Sequence, residues 1–241
     1  SCGWINDSFS SSPEKTLGIY PLPLESNQST HQVSCQIQTS QYKKNAVLLV
    51  DNLDSFTYNI AHEVCGLGHH VNIVSGREKI DFSAQQLLDD LQPSHIILGP
   101  GPGWPNDCPL TMELARLSLK GETPPLLGIC LGHQAIGVVA GLSLVPSPIG
   151  PVHGIPVKCL HEEKNLFDGL GDVMMTRYNS LTFLSADVHE NSKLTLDATD
   201  DTGSLVLGFH STDVPVFGIQ FHPESVGSQS GVYILSKFLD S

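Results

Sequence analysis

The chain has 241 residues, 40% of them hydrophobic and 15% charged, and a formal net charge of −13 at neutral pH. That length buries the core of one domain of roughly 190–200 residues with a tail to spare, and the acidic balance argues against a phosphate-tracking surface or attraction to anionic membranes. No apolar run approaches the ~18 residues that a membrane span needs.

Residues 1–44 are rich in Ser and Gln and lack sustained periodicity, and prolines interrupt their one apolar patch, Tyr-Pro-Leu-Pro-Leu-Glu at 20–25. This composition reads as a disordered tail or linker, with the domain proper at 45–241. The stretch has no apolar segment of the secretory kind, and with Lys15, Lys43 and Lys44 but no arginine it poorly fits a transit peptide. The first residue is Ser1, which suits a processed product or a piece of a longer polypeptide alike.

From residue 46 short apolar runs alternate with amphipathic stretches. AVLLV precedes SFTYNIAHEVCGLG, VNIVS precedes DFSAQQLLDDL, HIILG precedes PLTMELARLSL, and PLLGI precedes HQAIGVVAGL. Strands buried on both faces and alternating with helices predict an α/β fold with a parallel sheet and crossover helices. After residue 142 the texture turns to strands (IPVKCL, DVMMTRY, SLVLGFHS, VPVFGIQF), and GVYILSKFL reads as a last helix.

Six cysteines (Cys2, Cys35, Cys65, Cys108, Cys130, Cys159) fall at irregular spacings with no Cys-x-x-Cys pair. Neither a zinc framework nor a disulfide scaffold is indicated, so reduced thiols in a cytosol-like, cytoplasmic setting are expected. Cys130 differs from the rest. It lies in Gly128-Ile129-Cys130-Leu131-Gly132, between an apolar strand and a helix. A sharp strand-to-helix turn presents a side chain at the sheet edge only when its neighbours are small. The helix start then places free N–H groups and a positive dipole end beside the sulfur, which favours the thiolate. The same donors can hold an oxyanion, a contribution of about 2.7–4 kcal/mol each in acyl transfer. The plainer alternative is a buried cysteine between packing glycines, the reading taken for Cys65, Cys108 and Cys159.

Among eleven histidines, His222 in GIQFHPES is the best placed as a base. It ends an apolar strand, Pro223 stiffens the turn, and Glu224 two positions on could fix its tautomer. A surface histidine beside a solvated Glu is the common alternative. A metal site is weaker still, because no metal-ligand spacing accompanies it. The loop LGPGPGWP at 98–105 follows another apolar strand, and its alternating glycines and prolines make a rigid backbone that a ligand can approach closely. It has neither P-loop nor dinucleotide-fingerprint spacing, so nucleotide binding is not indicated.

As an ordered set, DNLDSFTYN, GPGPG, GICLGHQ, RYNSL and QFHPES resemble the class I, triad-type glutamine amidotransferases over about residues 46–240. The opening Asp51-Asn52-x-Asp54-Ser55-Phe56-Thr57-x-Asn59 resembles the chorismate-utilising branch, which comprises anthranilate synthase component II and the glutaminase part of aminodeoxychorismate synthase. The resemblance implies a three-layer fold whose central, mostly parallel mixed sheet is flanked by helices. It implies that Cys130 attacks the side-chain amide of L-glutamine to form a thioester, that His222 moves the protons and that Glu224 orients His222. It further implies an oxyanion hole from Leu131 and the Gly101-Pro102-Gly103 loop, with Gln134, Ser180 and Leu181 holding the glutamine backbone. Ammonia would pass to a chorismate-binding synthase, as a separate subunit or fused domain. That partner would need Mg²⁺; this chain would need no cofactor and no nucleic-acid or membrane partner.

Three positions depart from the pattern. Gly99 stands where serine is common, which leans toward aminodeoxychorismate synthases; Asn179 replaces a frequent histidine; and His153-Gly154 lacks the lysine that often follows. Anthranilate and aminodeoxychorismate both stay open as products. A catalytically silent regulatory module or a free-standing γ-glutamyl hydrolase are the competing functions. The intact Cys130, His222 and Glu224 set disfavours the first, and the DNLDSFTYN opening disfavours the second.

Overall fold

Val47, Leu48, Leu49 and Val50 are all completely buried, and a strand apolar on both faces requires a helix layer on each. The computed structural model describes residues 42–77, 83–191 and 193–241, with the backbone of Tyr20–Pro21. The elements in chain order are β1 (Tyr20–Pro21), β2 (Val47–Asp51), α1 (Thr57–Gly66), β3 (Val71–Ser75), α2 (Ala84–Leu91), β4 (His95–Leu98), α3 (Pro109–Ser118), β5 (Leu126–Ile129), α4 (Leu131–Ala140), β6 (Val145–Pro146), β7 (Val152–His161), β8 (Val173–Asn179), β9 (Leu181–Thr182), α5 (Ser185–His189), β10 (Leu194–Thr199), β11 (Val206–Ser211), β12 (Val216–Ile219) and α6 (Gly231–Leu239). Two short 3₁₀ turns occupy Pro105–Asp107 and Asn165–Phe167.

One sheet runs in the order β1-β3-β2-β4-β5-β12-β11-β10-β7-β8. The central strands β3, β2, β4, β5 and β12 are mutually parallel, and the outer pairings are antiparallel. The two faces of β2 enter different cores. Val47 and Leu49 pack with Ile60 and Val64 of α1 and Ile234 and Phe238 of α6. Leu48 and Val50 pack with Leu87 of α2, Leu114 of α3 and Ile136 of α4. This is the expected three-layer α/β arrangement.

Of the tail read from sequence as 1–44, the described part is Tyr20–Pro21 and residues 42–44. Tyr20–Pro21 lies antiparallel on the free edge of β3, opposite Ile73 and Asn72. Asn72 also anchors the entry to the domain, accepting the Lys43 N–H and donating to the Lys43 carbonyl at 2.9 Å. Where α2 starts, Ser83 caps the helix reciprocally with Gln86, which satisfies two otherwise orphaned N–H groups.

Candidate active site

β5 stops at Ile129, α4 starts at Leu131, and Cys130 between them is held at φ 52°, ψ −100°. A side chain in this left-handed region costs on the order of 1–3 kcal/mol and persists only where the surroundings over-determine it. The Cys130 N–H donates to the Ile219 carbonyl at 2.9 Å, and its carbonyl accepts the Gln134 N–H at 3.0 Å. A Cβ on Gly132 would lie 2.1 Å from the Leu98 carbonyl oxygen, and one on Gly128 would lie 2.5 Å from the Gly132 backbone. The glycines are therefore what lets α4 sit against the sheet. Cys130 is 5% exposed, beside first-turn N–H groups that have no acceptor within the helix.

His222 arrives from the neighbouring strand. β12 is parallel to β5, with Ile219 opposite Ile129. The sequence reading has His222 ending that strand, but β12 ends at Ile219. Beyond it Gln220 N–H turns to the Leu207 carbonyl at 3.0 Å and His222 N–H to the Thr176 carbonyl at 2.9 Å. His222 Nδ1 donates to Glu224 Oε1 at 2.6 Å with both side chains buried. That bond leaves Nε2 as the ring nitrogen not engaged by Glu224. It is buried against Cys130, and in this resting geometry the contact falls short of a well-formed hydrogen bond. Burial alone would push the His222 pKa down; interaction with Cys130 and Glu224 outweighs it and raises the pKa to about 10. Phe56 and Tyr178 flank the ring, with centroids 5.4 and 5.0 Å away, and restrict its orientation.

The opening DNLDSFTYN stretch reaches the site through Phe56, which packs on the His222 ring. Asp51 Oδ1 accepts from Leu53 N–H at 2.9 Å and Thr57 Oγ1 at 2.7 Å, and Asp54 accepts the Phe56 N–H at 2.8 Å. Asn52, completely buried, donates to the Gly99 carbonyl at 2.9 Å and accepts from Thr111 Oγ1 at 2.8 Å. Gly101 packs on Asn52, where a Cβ would meet Asn52 at 2.6 Å, and Gly103 takes φ 80°. Arg77 donates to the Asn52 carbonyl at 2.9 Å and to the Pro102 carbonyl. Asn52 and Arg77 thus set the Gly101–Gly103 loop. Asn52 is visible in the sequence only as part of the DNLDSFTYN signature, and Arg77, isolated in sequence, carries no local pattern.

The residues expected to hold substrate are arranged less simply. Ser180 is exposed and Leu181 half-buried at the end of β8. The Ser180 carbonyl accepts the Ser147 N–H at 2.8 Å. Gln134 Nε2 donates to the Leu181 carbonyl at 3.2 Å and to Gln220 Oε1 at 3.0 Å. That amide nitrogen supports the Ser180–Leu181 turn, and the amide oxygen is the end of Gln134 that could meet a ligand.

The other described cysteines fit structural roles. Cys108 and Cys159 are buried, and burial pushes both thiols up, Cys159 to about 12. His153 is exposed on β7. Among the described residues, no group of three or more His, Cys, Asp or Glu is arranged to hold a metal ion, and no helix is long and apolar enough to cross a membrane.

The family described as "Glutamine amidotransferase class-I" matches residues 48–241. The chain is 37% identical over 196 residues to "Anthranilate synthase component 2" of Porphyra purpurea, covering 81% of this chain and 99% of the relative. It is 33% identical to "Aminodeoxychorismate synthase component 2" of Serratia marcescens, covering 80% and 99%. The solved structure of a glutamine amidotransferase from Thermotoga maritima shares the fold, with a TM-score of 0.58 at 20% identity, covering 76% of this chain and 77% of that one.

Proposed function

We propose that this chain, which belongs to the class I glutamine amidotransferase family, is the glutaminase component that hydrolyses L-glutamine and hands the ammonia to a chorismate-aminating synthase. The observation that carries the chemistry is the strained Cys130 beside a buried, Glu224-bonded His222. Cys130 Sγ attacks the amide carbon, and the developing oxyanion is received by Leu131 N–H and the Gly101–Gly103 loop. His222 Nε2–H gives its proton to the departing ammonia, leaving a γ-glutamyl thioester. His222 then takes a proton from water, hydroxide attacks the thioester, and glutamate leaves as the thiolate is restored. Glu224 keeps Nδ1 protonated so that Nε2 does this work, and it stabilises the imidazolium.

The choice of acceptor is supported by the likeness to an anthranilate synthase component and an aminodeoxychorismate synthase component. The proton balance closes with Cys130, His222 and water. We therefore place any Mg²⁺ requirement in the synthase partner and expect a chelator to leave glutaminase turnover unchanged. The four described cysteines are free thiols, which suits a reducing, cytosol-like compartment. The test is glutamate release by the chain alone and with each synthase, scored together with anthranilate or 4-amino-4-deoxychorismate formation. Glutamine hydrolysis that neither synthase stimulates or consumes would overturn the acceptor and favour a free-standing hydrolase.

A further inference from the structure

A buried cation underlies the turn that presents Ser180 and Leu181. Arg177 of β8 is completely buried, and its Nε–H donates to Asn179 Oδ1 at 3.1 Å. Asn179 Nδ2 in turn donates to the Leu181 carbonyl at 2.7 Å, the same oxygen that takes the Gln134 bond. The terminal nitrogens Nη1 and Nη2 of Arg177 are buried without a hydrogen-bond partner among the described residues. Asn179 is thus, among the described residues, the one group to which the guanidinium makes a directed bond; Asp200 and Cys130 act on it through their charge. Burying a guanidinium with so few partners is costly, and packing alone would favour an apolar side chain of similar length.

We propose that Arg177 and Asn179 are positioning residues for the glutamine subsite, a relay that locks the Leu181 backbone and does so independently of pH. The inference rests on the reading that Ser180 and Leu181 hold the substrate. Arg177 keeps its charge throughout the working range, so the atom facing it must be an acceptor, while the atom facing the Leu181 carbonyl must be a donor. An amide supplies one of each at every pH. A histidine placed there would supply one of each only while neutral; protonated, it would turn a donor toward the guanidinium. The groups acting electrostatically on Arg177 are Asp200 after β10, Cys130 at the start of α4, and His133 on α4. Burial is the main cause that lowers the His133 pKa, to about 3, so His133 stays neutral across the range tested.

The experiment measures glutamate release against glutamine concentration from pH 5.5 to 8, with the cognate synthase present. Asn179→Leu removes both of its side-chain bonds, and loss of the one to the Leu181 carbonyl should raise KM about tenfold, with kcat within about threefold. Its substrate-free rate of Cys130 alkylation by iodoacetamide should match wild type, showing an intact nucleophile. Asn179→His should keep a near-normal KM at pH 8 and show KM rising as pH falls, while the wild-type KM stays flat. Arg177→Met should reproduce the raised KM, and Arg177→Lys, a cation without the planar fork, should recover only part of it. An unchanged KM in Asn179→Leu, or an Asn179→His profile parallel to wild type, overturns the relay. A wild-type chain that hydrolyses no glutamine overturns the functional reading and the relay with it.

Discussion

The N–H of Cys130 donates to the carbonyl of Ile219 at 2.9 Å, so the last bond of the parallel β5–β12 ladder ties Cys130 to the strand that leads to His222. His222 then needs only a short excursion, braced by Thr176, to bring its ring to the sulfur. Because both groups rise from the same edge of two adjacent parallel strands, their approach is set by sheet register and not by loop flexibility.

A glutamine analogue with an electrophilic carbon at the amide position should therefore modify Cys130 and spare Cys108 and Cys159, whose buried thiols are held protonated. Peptide mapping by mass spectrometry checks the site. Labelling of either buried cysteine in the folded protein would remove Cys130 from its role.

His222→Asn and Glu224→Gln should lower turnover unequally. Proton transfer by a positioned side chain contributes roughly 10²–10⁴-fold, and His222→Asn removes the transferring group. Glu224→Gln removes orientation and charge stabilisation but leaves Nε2 in reach, so its loss should be the smaller. Steady-state ammonia release at saturating glutamine decides it; a near-normal His222→Asn enzyme would point to another histidine.

The raised pKa of His222 makes stability depend on alkaline pH. Burial opposes the shift, and the interactions with Cys130 and Glu224 carry the folded-state value from 6.5 to about 10. A group whose pKa is higher folded than unfolded contributes stability that is fully present below the unfolded value and is lost as pH rises through the folded one. The Tm advantage of wild type over His222→Asn should accordingly be larger at pH 7 than at pH 10.5. An advantage that is constant or growing over that interval contradicts the assignment of the proton to this site.

Gly132→Ala tests the elbow itself. Its Cβ would fall 2.1 Å from the Leu98 carbonyl oxygen, a backbone atom that can move only with β4. Overpacking of this kind costs about 1–3 kcal/mol, a fall of roughly 2–12 °C in Tm for a domain of this size. Displacement of α4 should reduce kcat by an order of magnitude or more, because misplacement by about 1 Å can cost 10²-fold. Thermal melts and glutaminase assays on the same preparation would detect both; full stability and activity would show that α4 does not depend on this close approach.

The parallel half of the sheet was legible because its determinants are local. AVLLV is an uninterrupted apolar run and VNIVS, HIILG and PLLGI are mostly apolar ones, all of strand length, and each is followed by helical spacing. The strands β6, β9 and β10 were not marked out in the sequence. β6 and β9 are two residues each, defined by each other across the Val145–Thr182 and Pro146–Leu181 pairs. β10 carries Asp197 and a register shift against β11 that breaks its alternation. The end of β12 was misjudged for the same reason. The apolar run continues through Phe221, but the N–H groups of Gln220 and His222 bond Leu207 and Thr176, and no local pattern encodes that choice of partner.

The sequence by itself determined which cysteine could be a nucleophile. The steric demand of a strand-to-helix elbow falls on positions two residues either side, and Gly128 and Gly132 are visible there. It also carried the His222–Glu224 pairing, because those residues are two apart. Only the tertiary structure decided how Gln134 is used, how Asn52 and Arg77 hold the Gly101–Gly103 loop, and that Arg177 and Asn179 lie beneath Leu181. Most of these bonds join residues 25 to 86 positions apart. The partners of Asn52 and Arg77 meet only after β2, β3 and β4 have paired, and those of Gln134 only after α4 has packed on the segments that follow β8 and β12, since a hydrogen-bond donor carries no record in its own neighbourhood of which distant carbonyl folding will bring to it.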